Sequence, residues 1–237
     1  MEKTVPTDPS LVLSNADFVS NLRVELGLLP VPKDELVDYC GMCGSVLLAI
    51  DCTHFLNCNS NAAIITRRHN ECTNIIANAI RDLQGYPTVE PKKLWNSNRI
   101  RPDIDAFISN KRFLIDFRCR NDFAPSNRRS DVMEVAEKEK KQRYSEMARV
   151  LHANLLAFVC SAFGGFGKGA QKFMRDLRHN GSSRNCGETP NDVVRFMCRR
   201  VAIAIHRVNG DAHSAGISRS RKPIPVGLVA ARSDLLG

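Results

Sequence analysis

Cys40-Gly-Met-Cys43, followed by His54 and Cys58, restricts the fold of this chain more than any other feature. The spacing is C-x2-C-x10-H-x3-C. Zinc takes four tetrahedral nitrogen or sulfur ligands, and two cysteines on one tight turn can both reach the ion. Gly41 and Gly44 give that turn its freedom. Four such side chains within 19 residues, with few apolar neighbours, need a staple to stay folded. The alternative is a set of buried free thiols, and Cys52 is a rival ligand. Cys72, Cys119, Cys160, Cys186 and Cys198 fall in expected helices, strands or loops and read as packing residues. Nine cysteines among 237 residues, without a visible signal peptide, favour thiols or metal ligands over a disulfide framework.

The rest of the chain is basic. Residues 1–40 hold seven acids and three bases, so with a net charge of +9 the remainder carries +13. Such a body suits a polyanionic partner, foremost nucleic acid, although a merely soluble basic surface has the same composition. Hydrophobic residues make up 43%, enough for a core. The apolar runs are far shorter than the ~20 residues of a membrane span, so no membrane association is expected.

Periodicity divides the chain into a leader and helix over 1–30, the cysteine-rich unit over 31–62, a main domain over 63–209 and a flexible basic tail over 210–237. Ser14 and Asp17 mark a helix start, and Gly27 and Pro30 its end. A helix is expected over 69–83, strands over 103–108 and 113–119 with a turn at Asn110, and a charged helix over 131–151. A buried strand over 155–160 and helices over 168–178 and 190–208 follow. Gly164-Gly-Phe-Gly167-Lys168 lacks the first glycine and the final Ser or Thr of a phosphate-binding loop, so it reads as a turn into a helix.

Asp103 stands at the start of the first strand and Asp116 thirteen positions later, inside the second. In that second strand Phe113, Ile115, Phe117 and Cys119 share one face, and Leu114, Asp116 and Arg118 share the other. A carboxylate in so apolar a strand is costly unless paired or metal bound. Two carboxylates on adjacent strands can hold a divalent cation that activates water, or Asp116 can simply pair with Arg118 or another base. On the following helix Val132, Met133, Ala136, Tyr144, Met147 and Leu151 form one apolar face, and Lys140 falls within it. A lysine there needs an anionic partner, and Asp103 and Asp116 are the candidates. Lys138 points the opposite way and Lys141 to the side.

Pro102-Asp103, Asp116 and the nearby lysine resemble the PD-(D/E)XK nuclease superfamily. With the cysteine unit upstream, then Arg68-His69-Asn70, then Lys140-Lys-Gln-Arg143-Tyr144, the chain resembles the restriction-endonuclease-like domain of non-LTR (LINE-type) retrotransposons over roughly 15–210. In that family a CCHC zinc knuckle precedes the nuclease, which lies C-terminal to a reverse transcriptase. The resemblance implies a mixed α/β sheet flanked by helices and a single-strand nick in DNA that primes reverse transcription. It implies structural Zn²⁺ on Cys40, Cys43, His54 and Cys58. It implies catalytic Mg²⁺ on Asp103 and Asp116, with Glu71 as an outer ligand. Lys140 would orient or activate the attacking water, and Arg68, His69, Arg118, Arg143 and Tyr144 would contact nucleic acid. Double-stranded DNA is the expected partner, element RNA is left open as a second, and the DNA target implies the nucleus.

Two departures stand out. Arg118 occupies the usual lysine position, and arginine supplies charge but not a base. No polymerase-like acidic motif is present, so the chain is expected to be a fragment of an element or a stand-alone descendant. The alternatives are a zinc-containing nucleic-acid-binding module without catalysis and a junction-resolving nuclease.

Overall fold

The computed structural model describes residues 8–92, 94, 100–124, 127, 131–184 and 187–222. The protein is mixed α/β. Its elements are α1 (Asn15–Glu25), α2 (Ala62–Asp82), β1 (Tyr86–Val89), β2 (Ile104–Ile108), β3 (Lys111–Arg120), α3 (Val132–Val150), β4 (Asn154–Ser161), α4 (Lys168–Asn180) and α5 (Pro190–Ser220). The strands form one four-stranded mixed sheet in the order β1-β2-β3-β4. The first three are antiparallel, and β4 runs parallel to β3 after the α3 crossover.

Alternation along the strands decides what covers each face. Ile115 and Phe117 of β3 and Leu156, Phe158 and Cys160 of β4 pack with Ile76 and Ile80 of α2, Phe173 of α4 and Val201 of α5. The opposite residues turn to α3: Leu114 packs with Tyr144 and Met147, and Ala157 and Val159 pack with Ala136. The turn between β2 and β3 places Ser109 and Asn110 at φ of 47° and 61°, the left-handed pair that tight antiparallel hairpins use. Among the described residues, no helix is long and apolar enough to cross a membrane.

Three expectations are corrected. Helix α2 starts at Ala62, two turns before the expected 69, since the run Ala62-Ala-Ile-Ile continues the helix and Ile64 packs beside Leu56 and Ala212. β1 was not foreseen: it is a four-residue edge strand, and Pro87 fits an edge because it has no N–H to donate. Residues 210–220 are not a flexible tail but the last three turns of α5. Gly210 and Gly216 permit close packing there rather than ending the helix. A Cβ at Gly210 would lie 1.9 Å from Asp17 Oδ1, and one at Gly216 2.4 Å from the Phe55 ring. Residues 223–237 lie outside the described residues.

Candidate metal centre and carboxylate site

The cysteine-rich segment folds on a small core of Leu36, Cys40, Leu48, Phe55 and Cys58, against which Ile217 of α5 packs. The Cys40 carbonyl accepts the Gly44 N–H at 2.7 Å, and the Cys40 N–H reaches the Val46 carbonyl at 2.9 Å. Gly44, directly after the second ligand, takes φ +68° and turns the chain back. Asp51 Oδ1 accepts from both the Thr53 N–H and hydroxyl, at 3.0 and 2.6 Å, and this turn delivers His54. The donor atoms of Cys40, Cys43, His54 and Cys58 all lie within 4.8 Å of one another, with Cys43 Sγ 3.3 Å from His54 Nε2. The four can hold one metal ion such as zinc, with Cys52 outside the set. Burial pushes the Cys40 thiol up to about 11, and a bound cation would oppose that shift by favouring the thiolate.

The second site lies at the β2–β3 boundary. Ile104 pairs with Ile115, so Asp103, one residue before β2, stands beside Asp116 on β3. Asp103 Oδ2 accepts the Phe117 N–H at 2.7 Å, and Oδ1 lies 3.1 Å from His69 Nε2. Asp116 points to the α3 side, where its side chain is 3% exposed and Oδ2 lies 2.5 Å from Lys140 Nζ. Burial, then the charge of Asp103, raises the Asp116 carboxyl above its ordinary range, and Lys140 opposes them. The hydrogen bond to Asp103 raises His69 against the effect of burial.

A divalent cation fits the chemistry of this donor set. Asp103 and Asp116 offer carboxylate oxygens from adjacent positions, and burial and the charge of Asp103 raise the Asp116 carboxyl against the pull of Lys140. Oxygen-seeking Mg²⁺ would favour the charged form of Asp116.

The remaining candidates divide. Arg118 shares the Asp116 face of β3 and pairs with Glu139 at 2.8 Å. Arg143 is exposed, its guanidinium over the Tyr144 ring. Arg68 is corrected: it is buried and donates to Asn209 Oδ1 at 2.8 Å, which ties α2 to α5. Tyr144 is likewise corrected, since its ring is buried and its hydroxyl donates to the Arg101 carbonyl at 2.9 Å. Glu71 is not brought to the acid pair. It follows His69 by two positions, roughly 200° around the helix, and pairs with Arg67 at 3.6 Å. Arg67 also bonds Asp211. Lys138 is exposed and pairs with Glu134 at 3.3 Å.

The sequence reading missed Glu90 and Glu137. Glu90 follows the unrecognised β1 and lies near Asp103, whose carbonyl accepts its N–H at 2.7 Å. Glu137 is buried, and its Oε1 accepts the Gly169 N–H at the start of α4. Its place among the apolar positions of α3 was the available signal. No family model and no curated protein matches this chain.

Proposed function

We propose that this chain is a Mg²⁺-dependent DNA endonuclease of the PD-(D/E)XK type, related to the nuclease part of non-LTR retrotransposon proteins. The observation that carries the reading is the buried Lys140–Asp116 contact beside Asp103. A lone structural ion pair does not account for a second carboxylate next to it. The mixed sheet, the Cys3His unit and the +13 body over residues 41–237 support the same reading.

Asp103 and Asp116 would hold Mg²⁺, which when bound polarises the phosphate and lowers the pKa of a coordinated water. His69 and the Phe117 N–H fix the Asp103 carboxylate from two sides. Lys140, with a side chain 17% exposed, supplies a charge aimed at the same centre. Its ammonium orients the attacking water and stabilises the charge that grows on the phosphoryl oxygens. Arg118, which pairs with Glu139, and Arg143, over the Tyr144 ring, would contact the DNA backbone. Zinc holds the cysteine unit, which has a structural role. On this reading the chain works on nuclear DNA, and a reverse transcriptase is supplied by an adjoining or separate polypeptide.

The test is plasmid nicking with Mg²⁺, comparing the parent chain with Asp103→Asn. The parent should convert supercoiled DNA to open circles, and the variant should bind DNA without nicking it. Equal nicking by both refutes the assignment. A parent that binds DNA but nicks with no divalent metal is instead a binding module.

A further inference from the structure

We infer that the cleft between α2 and the end of β1 binds one unstacked nucleobase of the DNA strand being cut. The inference rests on the endonuclease reading, because Asp103 belongs to both the acid pair and the wall of this cleft.

The cavity measures about 230 Å³. That is smaller than the ~300 Å³ at which sites for drug-sized ligands begin, so it suits a single ring system and not a whole nucleotide. Helix α2 contributes His69, Asn70, Thr73 and Asn74 to one side, and Val89 and Glu90 line the other. Among the described residues no lysine or arginine lines it, which favours an uncharged ring over phosphate. What the walls offer is two amides, a hydroxyl, one apolar side chain, the His69 ring bonded to Asp103, and the Glu90 carboxylate. Amide side chains offer donor and acceptor together, the pattern that matches base edges. The Glu90 carboxylate, whose Oε2 pairs with Arg101 at 3.2 Å, keeps its other oxygen to accept from a base that presents an exocyclic amino group.

Two further observations point to an occupant. The Thr73 hydroxyl oxygen is buried and has no hydrogen-bond partner, and the residue is 3% exposed. A buried hydroxyl left alone is costly, and a ligand edge entering the cleft would satisfy it. Glu90 is held at φ +47°, in a region that residues other than glycine rarely adopt. Its N–H bonds the Asp103 carbonyl at 2.7 Å, so the strained residue is fixed directly to the carboxylate site. A phosphate held at Asp103 would have its attached base within reach of this cleft, provided that base leaves the stack.

The experiment uses 2-aminopurine, which carries an exocyclic amino group and brightens when unstacked. The probe is walked along one strand of a short duplex, and the full chain is added at saturation with Ca²⁺ in place of Mg²⁺. The parent should raise emission at one or a few positions. Thr73→Val combined with Asn74→Ala should lose most of the rise, whereas Asn78→Ala, one turn further along α2, should keep it. Urea unfolding of each variant separates this effect from a folding defect. Saturated binding without any rise, or a rise that the double variant retains, overturns the inference. Nicking without unstacking would leave the nuclease and remove the cleft; unstacking without nicking would do the reverse. A chain that fails to bind duplex DNA would remove both.

Discussion

Replacing Lys140 by Met keeps an unbranched side chain of similar length and removes only the charge. Lys140 Nζ and Asp116 Oδ2 are 2.5 Å apart, with side chains 17% and 3% exposed. At an effective dielectric of 20 that separation gives about 6–7 kcal/mol of gross attraction. Most of it is offset by taking both ions out of water, so the pair itself is worth little against an apolar isostere. Removing only one partner is different, because it strands the other charge. The expected loss from Lys140→Met is therefore about 3–5 kcal/mol. Lys138→Met breaks an exposed pair with Glu134 and should leave stability nearly unchanged.

The loss should also depend on pH, with a definite sign. Burial and Asp103 already raise the Asp116 carboxyl above its unfolded value. Without Lys140 it rises further, and the folded state holds a proton that the unfolded state releases. The stability tied to that proton is fully present below the unfolded pKa and is lost as pH rises through the folded one. Lys140→Met should thus look milder at pH 5 than at pH 8. Urea unfolding of the zinc-loaded protein without Mg²⁺ measures this. The double variant Asp116→Asn with Lys140→Met should recover much of the loss and show coupling of about 2–3 kcal/mol. In a nicking assay, Lys140→Met should cut the rate by ~100-fold or more, with Lys138→Met nearly unaffected. If the two lysines cost the same and the coupling is zero, the contact is a surface ion pair and the argument fails.

Three other outcomes are expected. Purified protein should contain about one zinc per chain, lost in Cys43→Ser, and a folded chain without metal would dismiss the centre. Arg120 is on the Asp116 face of β3, its Nε is buried without an acceptor, and Arg120→Gln should reduce the salt slope of DNA binding by about one; an unchanged slope would remove it from the phosphate surface. Burial, helped by His206, depresses His213 on α5 to about 3, and the Ser20 hydroxyl lies 3.3 Å from its Nδ1, so the unfolded state takes up the proton first as pH falls below ~6.5. About 2 kcal/mol should be lost between pH 7 and pH 5, and His213→Gln should flatten that slope in urea titrations.

The carboxylate site was legible because two periodicities meet there. Alternation put Asp116 opposite Ile115 and Phe117, and helical spacing put Lys140 among the apolar positions of α3, so the two had to approach across one layer. The cysteine unit was legible from spacing alone. Arg68 was not. In Arg67-Arg68-His69-Asn70 every residue is polar, and only the phase of α2 sorts them: Arg68 inward to Asn209, His69 toward Asp103. That phase depends on contacts with α5 distant in sequence. Glu71 was misjudged for the same reason, since placing the helix start at 69 put it in a first turn it does not occupy.

The long reach of α5 changes what the metal centre holds together. The Val37 N–H donates to the Ser220 carbonyl at 2.8 Å, and the Gly41 N–H to the Ser220 hydroxyl at 2.9 Å. A Cβ at Gly41 would lie 1.9 Å from the Arg219 carbonyl oxygen, so the ligand turn is seated directly on the end of α5. From there α5 returns to the sheet, where Asn209 donates to the Ala162 carbonyl at 2.7 Å and accepts from Arg68. The other route is shorter. Cys58 precedes α2 by four positions, and the Asn61 side chain bonds the Phe55 carbonyl at 2.8 Å where that helix begins. His69 is two turns further on, against Asp103. The cysteine unit therefore fixes the start of the helix that carries His69, and α5 ties the same helix to the sheet. A domain boundary at residue 62 would sever the centre from the element it positions, because the cysteine unit and the carboxylate site share one framework.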